Sequence, residues 1–96
     1  YCTDTGYCDN IVHLGRNADL LITECGTRSE SDTAWPHLSP LQAARIAFEA
    51  KVKRLVLTHF TADVYPSAKS RQDAQEMACS RFSNSIAAYD EFKMKV

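Results

Sequence analysis

The stretch HLSPLQAARIAFEAKVKRLVLTHF, from His37 to Phe60, decides how this chain folds. Ser39 reads as an N-cap, because its hydroxyl can accept a hydrogen bond from a free amide of a first helical turn. Pro40 fits the first helical position, where no donor is missed. Leu41, Ala44 and Phe48 fall on one face of the expected helix, with Ala43, Ala47 and Ala50 beside them. Small residues there let a helix lie close to a sheet. Lys51 to Arg54 forms a charged corner, and Leu55, Val56 and Leu57 make a short apolar run suited to a strand covered on both faces. That strand stops at His59. Strand, helix, strand is the crossover unit of a parallel sheet, and ligands usually bind at the loops beyond its strand ends.

On the amino-terminal side, Tyr1 to Thr3 reads as the tail of a strand that Asp4-Thr5-Gly6 leaves. A short helix is expected over Asp9 to Leu14, with Asn17 in the turn after it. Leu20, Leu21 and Ile22 begin a second buried strand that ends at Glu24 and Cys25. Gly26 to Trp35 is polar and reads as a long surface loop, with Trp35 packing it against the domain. Beyond His59 a second loop passes through Thr61, Asp63, Tyr65 and Pro66. A helix from about Ser70 to Phe82 follows, with Ala74, Met77, Ala78 and Phe82 on its apolar side. Ser85 to Tyr89 and Phe92 to Val96 read as two final strands joined by a hairpin turn at Asp90-Glu91. The expected order is βαβαβαββ, an α/β arrangement.

A chain of 96 residues makes one small domain at most. Its 45% apolar content is ordinary for a folded domain, and no apolar run approaches the roughly 20 residues that span a bilayer. The formal net charge of −1 gives no broad electrostatic footprint for nucleic acid, yet leaves room for a phosphate-bearing substrate at a local site. Cys2, Cys8, Cys25 and Cys79 lack paired CxxC spacing, so free thiols in a reducing, cytoplasmic compartment are expected.

Right-handed crossovers would make the first three strands parallel and bring their carboxyl ends to one edge. Asp4, Glu24, His37 and His59 all map there. Asp4 offers a carboxylate oxygen and His59 an imidazole nitrogen, a pairing that suits zinc, manganese or iron. A turn-forming aspartate and a hydrogen-bonded strand-end histidine are the plainer alternatives. His37 precedes a helix N-terminus, where it could hydrogen-bond a phosphate oxygen or protonate a leaving group. Its alternative is a loop histidine without a role. Glu24 is expected as a solvated strand-end glutamate, the alternative being an acceptor that orients a ligand. His13 falls in an exposed helix and is given no role. No spacing specifies a serine or cysteine nucleophile, and no glycine-rich phosphate loop is present.

Four pieces resemble the carboxyl-terminal half of metallo-β-lactamase-fold hydrolases, in particular the ribonuclease Z-like branch and its phosphodiesterase relatives. They are YCTDTG (Tyr1–Gly6), ADLLITEC (Ala18–Cys25), HLSPLQAARIA (His37–Ala47) and VKRLVLTHF (Val52–Phe60), and they occur in the family's order. The resemblance implies that Asp4 bridges two metals, that His59 is the last histidine ligand of one, and that His37 contacts the scissile phosphate. The metals would be two zinc ions, with manganese or iron as alternatives. It also implies one half of a four-layer αββα sandwich. Thr3 stands where the family usually has glycine, and the HxHxDH motif that supplies most metal ligands is absent from the chain.

The expectation is therefore the carboxyl-terminal portion, residues 1–96, of a metal-dependent hydrolase acting on a phosphodiester, such as RNA, and inactive as a fragment. Its partner would be the missing amino-terminal half or a second subunit, a homodimer included. A non-catalytic α/β module that binds a partner is the other reading. A receiver-like signalling domain is excluded, because the third strand ends in His59 where an aspartate should stand.

Overall fold

In the computed structural model, which describes residues 1–29 and 36–96, Ser39 caps the central helix. Its hydroxyl accepts from the Gln42 amide, and the Gln42 side chain accepts in return from the Ser39 amide. This reciprocal box starts α2, Pro40–Glu49. Ser67 and Ser70 repeat the device at the start of α3, Ala68–Cys79. The remaining elements are α1 (Asp9–Gly15), β1 (Leu21–Cys25), β2 (Leu55–Phe60) and β3 (Ser85–Ala87). The expected packing of Trp35 lies outside the described residues.

The three strands are parallel and stand in chain order, β1-β2-β3. Leu21 pairs with Leu55 and Ile22 with Val56, then Leu55 with Ser85 and Leu57 with Ala87. Right-handed crossovers that all advance in one direction put their helices on one face. Accordingly α2 packs on β1 and β2 and lies between α1 and α3. Leu21, Cys25, Leu55 and Leu57 meet Ala43, Ile46, Ala47, Ala74 and Ala78 in one core cluster. No helix among the described residues is long and apolar enough to cross a membrane.

Several sequence expectations need correction. The strand at Tyr1–Thr3 shrinks to a single parallel bridge, Cys2 to Thr23, made by Cys2 N–H to Ile22 (2.8 Å) and Glu24 N–H to Cys2 (2.9 Å). In α2 the row Ala43–Ala47–Ala50 rests in the core, so the helix is turned one step from the Leu41–Ala44–Phe48 row and Phe48 is 69% exposed. Helix α3 starts two residues earlier than expected because Ser67 caps it, and Met77 faces outward.

The terminal hairpin is also absent. The turn at Asp90-Glu91 does form, with Glu91 at φ 65° and the Phe92 amide bonded to Tyr89. Residues 92–96 nevertheless join no ladder among the described residues. Instead Phe92 and Met94 lie half-buried in a groove with Leu20, Ile22, Val56 and Thr58, on the sheet face opposite the helices. Their alternation marks a segment lying over a face, a pattern it shares with a paired strand. Val56 is buried there, outside the helix-side core, while Ile22 and Ile86 stay half-exposed. Among the described residues, one face of the sheet is thus closed by helices and the other covered by a short tail.

Candidate active site

The carboxyl ends of the parallel strands converge on two pairs of side chains. The first pair is Asp4 and His59. Asp4 follows the Cys2 bridge at φ 52°, in the left-handed region that aspartate tolerates better than most residues. His59 sits in a bulge: Glu24 pairs with Thr58 and Cys25 with Phe60, leaving His59 as the extra residue, at φ 51°. A bulge re-aims a side chain out of the pleat. His59 Nε2 comes within 3.9 Å of Asp4 Oδ1, and both side chains stay open to solvent, at 52% and 73% exposure.

The second pair is Glu24, which is buried, and His37, which is half-buried. Glu24 has no exposed surface. Its Oε1 accepts from the Thr5 amide (2.7 Å), and its Oε2 from the amides of Gly26 (3.1 Å) and Leu38 (3.2 Å). His37 Nδ1 lies 2.8 and 3.0 Å from the two oxygens. Glu24 is thus the acceptor throughout, so Nδ1 carries the hydrogen, and Nε2 is the nitrogen left for another partner. The expected solvated glutamate is corrected here. Polar backbone at the ends of three chain segments needs an acceptor, and the carboxylate at the end of β1 supplies it.

Two glycines make this geometry possible. A Cβ at Gly26 would stand 2.9 Å from Glu24 Oε2 and 3.0 Å from His37 Cγ. One at Gly6 would stand 2.7 Å from Pro36 Cβ, so Gly6 lets the Asp4 loop lie against the segment that carries His37. Thr5 and Glu24 complete that connection through their hydrogen bond. Asp4, His37 and His59 are therefore brought to one edge: Asp4 and His59 by direct approach, His37 through Glu24. Glu24 was mapped to this edge from sequence, with an orienting acceptor as its alternative role, whereas Gly26 was not marked.

Cys25, beside Glu24, is no nucleophile. Burial, with the Glu24 charge adding to it, outweighs the Tyr65 hydrogen bond and pushes its thiol up to about 12. Its Sγ lies 3.6 Å from the Tyr65 hydroxyl, which donates to the Thr27 carbonyl at 2.6 Å.

A parallel α/β sheet here gathers acid and imidazole groups at its carboxyl edge, and residues 1–60 match the family model described as beta-lactamase superfamily domain. The chain belongs to that family. Among curated proteins it is similar to the ribonuclease Z of Synechococcus sp. (strain CC9311), 39% identical over all of this chain and 32% of that protein. The ribonuclease Z of Thermobifida fusca (strain YX) is 38% identical, again over all of this chain and 31% of its own length. Among solved structures, the metallo-beta-lactamase fold protein YhfI from Bacillus subtilis superposes with a TM-score of 0.77 and 32% identity, covering 93% of this chain and 36% of that one. The chain spans about a third of the length of the curated relatives it matches.

Membership implies use of a divalent metal in general terms. The residues present fit part of such a site. Two donors about 2.0–2.1 Å from a tetrahedral zinc stand roughly 3.3 Å apart, and small rotations of two exposed side chains close the gap from 3.9 Å. No group of three or more histidine, cysteine or acidic side chains able to hold a metal exists among the described residues. Asp4 and His59 offer two donors, fewer than the four a zinc site usually holds.

Proposed function

We propose that this chain forms the carboxyl-terminal part of a metal-dependent phosphodiesterase of the ribonuclease Z type, with RNA as the substrate class. The observation that carries it is the hydrogen-bonded path from Thr5 through Glu24 to His37, which ties the His37 imidazole to the loop bearing Asp4. The relatives named ribonuclease Z support the reaction class. Asp4 and His59 would hold divalent metal, with zinc preferred and manganese or iron possible. When bound, such an ion polarises a phosphoryl oxygen and makes water a nucleophile at neutral pH.

The chain's own residues do the rest. Glu24 holds His37 in one tautomer with Nε2 available, so His37 can hydrogen-bond a non-bridging phosphate oxygen or hand a proton to the leaving oxygen. The partner is an amino-terminal portion carrying the remaining ligands, or a second subunit, that covers the half-exposed Leu20, Ile22 and Ile86 on the sheet face opposite the helices. A cytoplasmic setting belongs to the same reading, supported by the four free thiols.

The test joins this chain to the amino-terminal two-thirds of the Synechococcus ribonuclease Z and assays an RNA oligonucleotide and bis-p-nitrophenyl phosphate. The joined protein should hydrolyse both, and the chain alone neither. His37→Ala should lower kcat by about 10²–10⁴ while metal content stays unchanged. A joined protein that folds and loads metal but cleaves neither substrate defeats the reading. The partner-binding module would then lead.

A further inference from the structure

Arg71, on the first half of α3, is half-buried, and its Nε is closed off from water without a hydrogen-bond partner among the described residues. A shielded, unpaired N–H is costly, so the group calls for a partner that a water, an ion or a ligand would supply. The guanidinium stands 5.7 Å from the centre of the Phe60 ring, one residue beyond His59. It is also the wall between two adjoining clefts. The smaller, about 170 Å³, includes His59, Phe60 and Asp90. The larger, about 610 Å³, lies between α3 and the end of β3, and falls in the size range of small-ligand sites. Arg71, Ala88 and Tyr89 line both.

The chemistry of the larger cleft favours an anion with an attached ring. None of its lining residues is acidic; besides Arg71 its polar groups are Ser67, Gln72, Gln75 and Tyr89. Asp90, in the smaller cleft, is the single carboxylate nearby among the lining residues. The planar fork of an arginine matches phosphate. Tyr89 is 66% exposed and is held edge-on by Phe92 at 5.1 Å, an aromatic surface on which a base can stack.

We propose that Arg71 and Tyr89 form a nucleotide subsite beside His59, with the guanidinium on the phosphate neighbouring the scissile one and Tyr89 beneath the adjacent base. This rests on the phosphodiesterase reading for its place in the reaction, and on the two clefts alone for its existence. The ligand class is a nucleoside 5′-phosphate unit.

Nuclear magnetic resonance titration of the chain tests it, following the Arg71 Nε–Hε signal and the Tyr89 ring protons. Adenosine 5′-monophosphate should shift both, inorganic phosphate the Arg71 signal only, and adenosine neither strongly. Arg71→Lys keeps the charge but loses the fork and should weaken nucleotide binding about ten-fold. Tyr89→Ala should weaken nucleotide binding and leave phosphate binding unchanged. Unshifted wild-type signals at millimolar nucleotide, or shifts confined to residues outside the clefts, overturn the subsite, whatever the variants do. In the joined enzyme, Arg71→Lys should raise KM for RNA more than KM for bis-p-nitrophenyl phosphate, which has no neighbouring phosphate. An inactive joined protein that still shows the Arg71 shift supports the subsite and defeats the phosphodiesterase reading. An active one without that shift does the reverse.

Discussion

The two halves of the candidate site are built in opposite ways. Glu24 and His37 are closed in by hydrogen bonds from three segments, and two glycines give them room. Asp4 and His59 face each other across 3.9 Å in solvent, each on a left-handed backbone. The first pair is finished by this chain. The second has geometry but little fixation, as expected of groups that acquire their remaining partners on binding. The contrast separates what orders the loops from what would hold a cation.

The largest effect should come from Glu24→Ala. It leaves the amides of Thr5, Gly26 and Leu38 without their acceptor, and a loss of about 3–5 kcal/mol in urea denaturation is expected. A loss below about 1 kcal/mol would mean that the Glu24–His37 pair does not organise the loops. Next comes Gly26→Ala, whose methyl meets Glu24 and His37 at about 3 Å. It should cost about 1–3 kcal/mol and displace the His37 ring, visible in its imidazole proton shifts.

Cys25 reports whether the buried side stays dry. Its thiol is raised to about 12 from an unfolded value of 9.0, so the folded state keeps a proton that the unfolded chain releases. That contribution is intact below pH 9 and is lost as pH climbs towards 12, at no more than about 1.4 kcal/mol per pH unit. Denaturation midpoints measured across this window should fall less steeply in Cys25→Ala. The smallest change belongs to the open pair. Asp4→Asn and His59→Asn keep residue types that tolerate positive φ, and stability should move by no more than about 0.5 kcal/mol. Calorimetry with zinc on the unaltered chain should show only weak binding, which both substitutions remove. A tight site surviving both would move the metal elsewhere.

Much of this was legible in the sequence where local chemistry and tertiary packing agree. Ser39-Pro40 placed the start of α2, and the Leu55–Leu57 run placed β2, because caps and apolar runs are decided within a few residues. Carboxyl-end positions brought Asp4, His37 and His59 to one edge before any coordinates. What failed depended on partners distant in sequence. Glu24 looked solvated because its three amide donors come from other loops. Phe92 to Val96 looked like a strand because alternation records one wet face and does not say what covers the other. Phe48 looked buried because its helical row differs by one step from the alanine row that reaches the sheet. The bulge that frees His59 left no mark at all in residue type.

Strand order that equals chain order also dictates how the domain is put together in time. Each pairing joins positions roughly 20–35 residues apart, so loop-closure entropy differs little among the three, and ladder length decides. β1 with β2 is the longest ladder and should form first, while β3 and the single Cys2 bridge zip on afterwards. Hydrogen exchange would show this as slow amides in β2 and fast ones at Cys2 and Ala88. Asp4 rides on the last edge to dock. A cation captured between Asp4 and His59 would therefore act as a latch, selecting molecules whose first strand has closed and slowing its release.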